Sequence, residues 1–225
     1  MLTKMIPAAL AVVAVAGGAW WFTRPDPQAA ATTALPAVGA ASADTGAADL
    51  PKVPEITLGN PDASVTVIEY ASFTCPHCAN FHLGPFQQIK ENFIETGQIQ
   101  FITREVFFDR YGLWAAMVAR CGGTESYHGI AGLIYETQQE WTSGQTEAAI
   151  AENLRRIGRQ AGLNNDEINA CLGDRDMALA LTATYQANAE ADDIRATPTF
   201  MINGQQFSNM PYSEFEAVLT DLLEN

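Results

Sequence analysis

The segment from Val65 to Cys78 constrains the fold more than any other stretch of the chain. Val65-Thr66-Val67-Ile68-Glu69-Tyr70 alternates and is β-branched, the pattern of a buried strand. Cys75-Pro76-His77-Cys78 follows it, and then Phe86, Ile89 and Phe93 recur at helical spacing. A helix therefore opens at or just after Cys75, with proline in the first turn, where its missing N–H costs nothing. That places the first cysteine where unpaired backbone N–H groups and the positive end of the helix dipole converge. Such a site favours a thiolate, and a protonated His77 adds a cation beside it. A thiolate with a second thiol one turn away is suited to disulfide exchange, which calls for no cofactor.

The rest of the chain is organised around this unit. Glu55-Ile56-Thr57-Leu58 is a short strand candidate, and Gly59-Asn60-Pro61-Asp62 a turn. Gly84-Pro85 should kink the helix after Cys78, because proline removes one ladder bond and clashes with the preceding turn. Gly97 ends that helix, and Ile99 to Thr103, with Val106, forms the next strand. From about residue 109 to 191 the period is helical throughout, predicting five helices with no strand between them, an inserted helical subdomain. Strand character returns at Thr199-Phe200-Met201-Ile202. Asn203-Gly204 then signals a hairpin, since both residues tolerate positive φ. Gln205-Gln206-Phe207 is its partner, and Tyr212 to Leu223 closes the chain as an amphipathic helix.

Four cysteines allow three pairings. Cys121 and Cys171 each end a predicted helix, just before glycine-marked stops and on apolar faces. Negative partial charge at a helix carboxyl end disfavours a thiolate, so these two are poor nucleophiles and good staples. A bridge across them would contribute roughly 4 kcal/mol in the chain-entropy model. The alternative is two unpaired buried thiols. A purely structural Cys75–Cys78 bridge would constrain almost no chain. A copper or zinc site using Cys78 and His82, four apart on one helix face, with His77 adjacent, lacks a second cysteine pair at ligand spacing. Exchange chemistry is the dominant reading, with no metal site.

At the amino end, Lys4 precedes an apolar run from Met5 to Phe22, an export signal of some kind. Ala14-Val15-Ala16 resembles a cleavage site. The length of the run, closed by Trp20-Trp21-Phe22, equally fits a retained anchor over residues 5–22. Either outcome puts the body outside the cytoplasm, where disulfides persist. Thr23 to Val53, rich in Ala, Pro, Thr, Ser and Gly, has the composition of a disordered tether. Three segments result: 1–24 signal peptide or signal-anchor, 25–53 linker, 54–225 folded body. A formal charge of −14 argues against nucleic acid as a partner, which needs a basic face.

A strand, the Cys-Pro-His-Cys helix start, an inserted helical block, then Thr197-Pro198 before a hairpin and last helix: this order resembles the thioredoxin-fold DsbA family. The resemblance covers about residues 54–225, and the second cysteine pair is similar to that of a subset from α-proteobacteria. It implies an α/β, thioredoxin-like fold and a protein-disulfide oxidoreductase. Cys75 would be the exposed nucleophile, Cys78 the buried resolving thiol, and His77, within the Pro76-His77 dipeptide, a stabiliser of the thiolate. Pro198 would be a cis-proline facing the pair, with Thr197 offering backbone hydrogen bonds to a bound peptide. Glu69 matches the family's buried acid, which relays a proton to or from Cys78; otherwise it is a strand residue reaching solvent. The implied partners are reduced, unfolded exported proteins and a DsbB-type membrane quinone reductase for reoxidation. Thr197 departs from the valine of the best-known members and is shared with several isomerases. An isomerase or reductase of the same fold is therefore one alternative, and a metal-binding or redox-inert peptide-binding holdase another.

Overall fold

A computed structural model describes residues 50–225. The proposed signal, the anchor over residues 5–22 and most of the tether lie outside the described residues. Among those described, no helix is long and apolar enough to cross a membrane.

Among the described residues five strands form one mixed sheet in the order β1-β3-β2-β4-β5. They are β1 (Ile56–Gly59), β2 (Val65–Ala71), β3 (Ile99–Glu105), β4 (Thr199–Ile202) and β5 (Gln205–Ser208). β2 and β3 run parallel with Val67 opposite Phe101, while β1 on β3, β4 on β2 and β5 on β4 are antiparallel. Alternation along β2 sends Val65 and Val67 into a core of Phe81, Phe86, Ile89, Ile99, Phe101, Phe200, Phe215 and Leu219. Glu69 falls in the same register, so the strand period delivers a carboxylate to the face covered by the first helix.

Gly59 ends β1 with φ +81, and a Cβ there would lie 2.2 Å from the Ile99 carbonyl oxygen. Only glycine lets the two chains approach that closely. The hairpin turn carries positive φ at both Asn203 and Gly204, as its sequence predicts.

Among the described residues are nine α-helices, in chain order α1 (Pro76–Leu83), α2 (Pro85–Ile89), α3 (Arg110–Cys121), α4 (Gly123–Glu136), α5 (Gln138–Thr142), α6 (Glu147–Gln160), α7 (Asn165–Gly173), α8 (Arg175–Ala191) and α9 (Tyr212–Glu224). The kink expected at Gly84-Pro85 is a full break. Gly84 leaves helical geometry at φ −125, ψ −95, and Pro85 starts α2. A π-helical turn, Lys90–Ile94, then closes with Glu95 N–H donating to Lys90 O at 2.9 Å.

The block between β3 and β4 holds six helices rather than five. The additional one, α5, is a single turn, too short to show a period in sequence. Its Trp141 is fully buried, and it packs within a second core built on Phe73, Tyr127, Ile134, Tyr135 and Leu154. Along α8 the buried residues are Ala180 and Leu181, with Ala178 and Tyr185 only half-buried. Cys121 and Cys171 are joined in a disulfide spanning 50 residues, with a Cα–Cα distance of 5.8 Å.

Candidate active site

β2 ends at Ala71 and the chain turns through Ser72-Phe73-Thr74 to put Cys75 at the N-cap of α1, in extended geometry, with Pro76 as the first helical residue. Two contacts fix this turn, one local and one to α3: Cys75 N–H donates to Ser72 O, and Thr74 Oγ1 donates to Asp109 Oδ2 at 3.0 Å. Asp109 also caps α3 through the N–H groups of Tyr111 and Gly112, so one carboxylate ties the loop to the helical block. A third contact comes from α5. The Gln138 side-chain amide is buried and donates to the carbonyls of Phe73 (2.8 Å) and Cys75 (2.9 Å).

Cys75 is 8% exposed and Cys78 is 0% exposed; both are unbridged thiols here. Cys75, expected as the exposed nucleophile, is thus buried, because the helix start and the cis-proline loop close over it, though less completely than Cys78. Cys75 Sγ donates to the carbonyl of Thr197 at 3.4 Å, and the Thr197–Pro198 peptide that carries it is cis. Cys78 Sγ accepts from the backbone N–H of Ser72 at 3.5 Å.

The electrostatics separate the pair further. Cys75 is pulled down from 9.0 to about 5. The Cys78 thiol, donating to the Cys75 sulfur, contributes most; burial opposes it, and the Thr197 side chain and the backbone N–H groups of Cys78 and His77 add to it. The imidazole of His77, expected to supply a cation, is exposed and absent from these causes. The residue acts through its backbone, at the helix start. Cys78 is pushed far above its ordinary value, by burial first, then by the bond to Cys75 and the charge of Glu69.

Glu69 does not reach solvent. It is 0% exposed, its Oε2 lies 2.9 Å from Nε2 of His82, and its Oε1 has no partner. His82 is itself 5% exposed and stacks on Tyr135 of α4 at 4.3 Å. Considered in sequence only as a metal ligand, His82 is turned instead toward a carboxylate. Among the described residues no group of three or more His, Cys, Asp or Glu could hold a metal ion. The cluster thus brings Cys75, Pro76, Cys78, Thr197, Pro198 and Glu69 together, while Cys121 and Cys171 sit in the helical block. Sequence reasoning missed two members. The helical offset of four from Cys78 was a usable signal for His82. Gln138 gave none, its contacts being 63 and 65 residues away in the chain.

Chemically, the arrangement offers an ionisable sulfur just under the surface, a protonated sulfur below it, and a buried carboxyl whose charge is felt by the second. Residues 52–221 match a family described as Thioredoxin. A relative from Rickettsia bellii, provisionally named a protein-disulfide oxidoreductase, is 32% identical over 76% of this chain and 65% of its own length. Disulfide bond formation protein D of Bacillus subtilis is 26% identical over 72% of this chain and 74% of its own. The crystal structure of Wolbachia pipientis alpha-DsbA1 superposes with a TM-score of 0.71 at 29% identity, covering 78% of this chain and 94% of that one. The sequence and fold are similar to those of these DsbA-like proteins, and the chain belongs to the thioredoxin family.

Proposed function

We propose that this chain is an exported thiol:disulfide oxidoreductase that introduces disulfides into unfolded proteins through Cys75 and Cys78. The observation that carries the reading is the asymmetry of the pair: Cys75 the less buried and lowered to about 5, Cys78 fully buried and raised. A good leaving thiolate outside and a reluctant one inside is what disulfide donation requires, because exchange speeds up as the leaving thiol's pKa falls.

In the working cycle a substrate thiolate attacks Cys75 Sγ of the Cys75–Cys78 disulfide. The S–S electron pair passes to Cys78 Sγ, which takes a proton. A second substrate thiolate then attacks the substrate sulfur of the mixed disulfide, and Cys75 departs as the stabilised thiolate. The substrate has lost two electrons and the enzyme gained them. Thr197 and Pro198 flank the sulfur and offer backbone to the bound peptide; Glu69 serves as the buried acid. Reoxidation falls to a membrane quinone-linked protein of the DsbB type. Phe108, beside the Asp109 that holds Thr74, is 59% exposed and gives an unfolded substrate an apolar contact. We assign residues 1–24 to export or anchoring, 25–53 to a linker and 54–225 to the enzyme, working in the periplasm.

The test is oxidation of a reduced dithiol peptide by the oxidised protein, run beside refolding of a scrambled substrate. Stoichiometric peptide oxidation with little unscrambling is expected. Unscrambling that outpaces oxidation would place the protein with the isomerases, and binding of peptide without exchange would make it a holdase.

A further inference from the structure

The carbonyl of Thr197 meets the Cys75 sulfur at 3.4 Å, so the loop that carries it has to be held in place. That loop leaves α8 through a tight turn: Asp193 adopts φ +50, and Ile194 N–H donates back to Ala189 O at 2.8 Å. Arg195 and Ala196 are exposed, so core packing does not fix the stretch leading to Thr197. Its two ends are fixed instead, and both lead to Tyr70 of β2.

Tyr70 is fully buried and paired in the sheet with Arg104 of β3 on one side and Thr199 of β4 on the other. Thr199, where the loop ends, donates from Oγ1 to Ala196 O at 2.8 Å. At the other end the Tyr70 hydroxyl donates to Oδ2 of Asp192, the residue that caps α8, and lies 3.2 Å from Asn188 O. Arg104 Nη1 donates to that hydroxyl at 2.8 Å and reaches Asp192 Oδ2 at 3.3 Å. Gln206 of β5 adds longer bonds to the carbonyls of Asp192 and Asp193, at 3.3 and 3.4 Å. Burial, then the bond to Asp192, pushes the phenol up to about 12, so it remains a donor at neutral pH.

We propose that Tyr70, Arg104 and Asp192 form a clamp that positions the loop 193–198 over Cys75, and with it the backbone ledge on which a substrate peptide docks. These are positioning residues that touch neither sulfur. Tyr70 acts twice: its backbone register sets where the loop ends, and its hydroxyl sets where the loop begins. A peptide has backbone to lay along the ledge and a small dithiol has none. The clamp therefore favours peptides over small thiols in the same exchange. This rests on the exchange reaction and on the role of Thr197 proposed above, and adds what holds that ledge.

Second-order rates for reduction of the oxidised protein by a dithiol peptide and by dithiothreitol test this in the wild type, Tyr70→Phe, Asp192→Ala, the double variant and Asp192→Asn. The ratio of peptide to dithiothreitol rate should fall about tenfold in Tyr70→Phe and in Asp192→Ala, the low end for a lost hydrogen bond to a charged group. The double variant should fall no further, because both side chains act through one bond. Asp192→Asn keeps an acceptor for the hydroxyl and should recover most of the ratio. Glu55→Ala removes only the outer partner of Arg104, at 3.2 Å, and should leave it unchanged. Variants that lose stability yet keep the wild-type ratio overturn the proposal, as does a double loss equal to the product of the singles. Should Tyr70→Phe fail to fold, Asp192→Ala, at a half-buried helix end, carries the prediction alone. In that variant the Ile194 amide should exchange its hydrogen about tenfold faster, with the amides of β2 and β3 unchanged; an unchanged Ile194 overturns the clamp. A wild type that reacts with neither dithiol refutes the enzymatic reading instead, and the amide comparison still decides the clamp.

Discussion

Reducing the Cys75–Cys78 bond should stabilise the fold at high pH and not at low pH, and the size of the effect follows from one sulfur. Cys75 titrates near 5 in the folded protein against 9.0 ordinarily. The folded value is the depressed one, so the stabilisation is complete above pH 9, shrinks as pH falls, and is gone below pH 5. At about 1.4 kcal/mol per unit, it amounts to about 5 kcal/mol at pH 9 and about 3 kcal/mol at pH 7. Opposing it, the oxidised form gains the loop-closure term of a four-residue ring, about 2 kcal/mol and independent of pH. Reduced protein should therefore be the more stable form by about 1 kcal/mol at pH 7 and about 3 kcal/mol at pH 9, with the order reversed near pH 5. Urea melts of both forms at pH 5, 7 and 9 read this directly. A reduced-minus-oxidised difference that stays flat across that range would refute the stabilised thiolate, whatever its absolute value.

Three further outcomes are expected. Cys75→Ser should abolish dithiol oxidation and lose only the thiolate's pH-dependent contribution, about 3 kcal/mol at pH 7 and nothing near pH 5, whereas Cys121→Ser should keep the exchange activity and lose up to about 4 kcal/mol at either pH in a denaturant melt; equal loss of activity in both would contradict the division of labour. Gln138→Leu should cost about 2 kcal/mol, since it leaves the buried carbonyls of Phe73 and Cys75 each short of a partner, and it should slow alkylation of Cys75 at pH 6; an unchanged alkylation rate would show that α5 does not position the nucleophile. Gly59→Ala should lower the melting midpoint through a loss of about 3 kcal/mol or more, from the positive φ and the 2.2 Å approach to Ile99 together, and a neutral effect would contradict the β1–β3 register.

Much of this was legible because it is local. The β-branched alternation of β2, the proline that opens α1 and the Asn203-Gly204 turn each state their conformation within a few residues. Periodicity also separated the helical block from the sheet, although it could not resolve α5, whose five residues are less than two turns. The site was legible in the same measure. Cys75, Cys78 and Thr197-Pro198 stand out in the chain itself. Glu69 could be placed on the α1 face by counting in twos from Val65. What sequence could not show is contact across long separations: Gln138 reaching back to the Cys75 carbonyl, Tyr135 stacking on His82, Asp109 holding Thr74. His77 illustrates a different gap. A histidine beside a cysteine suggests a cation, but at this helix start its ring points to solvent and its backbone N–H supplies the stabilisation.

The central claim is that one sulfur is held ionised by its place in the fold, and thiolate absorbance at 240 nm against pH tests it most directly. The reduced protein, with Cys75→Ser as blank, should show a single titration step centred near pH 5. A midpoint close to 9 would contradict the account.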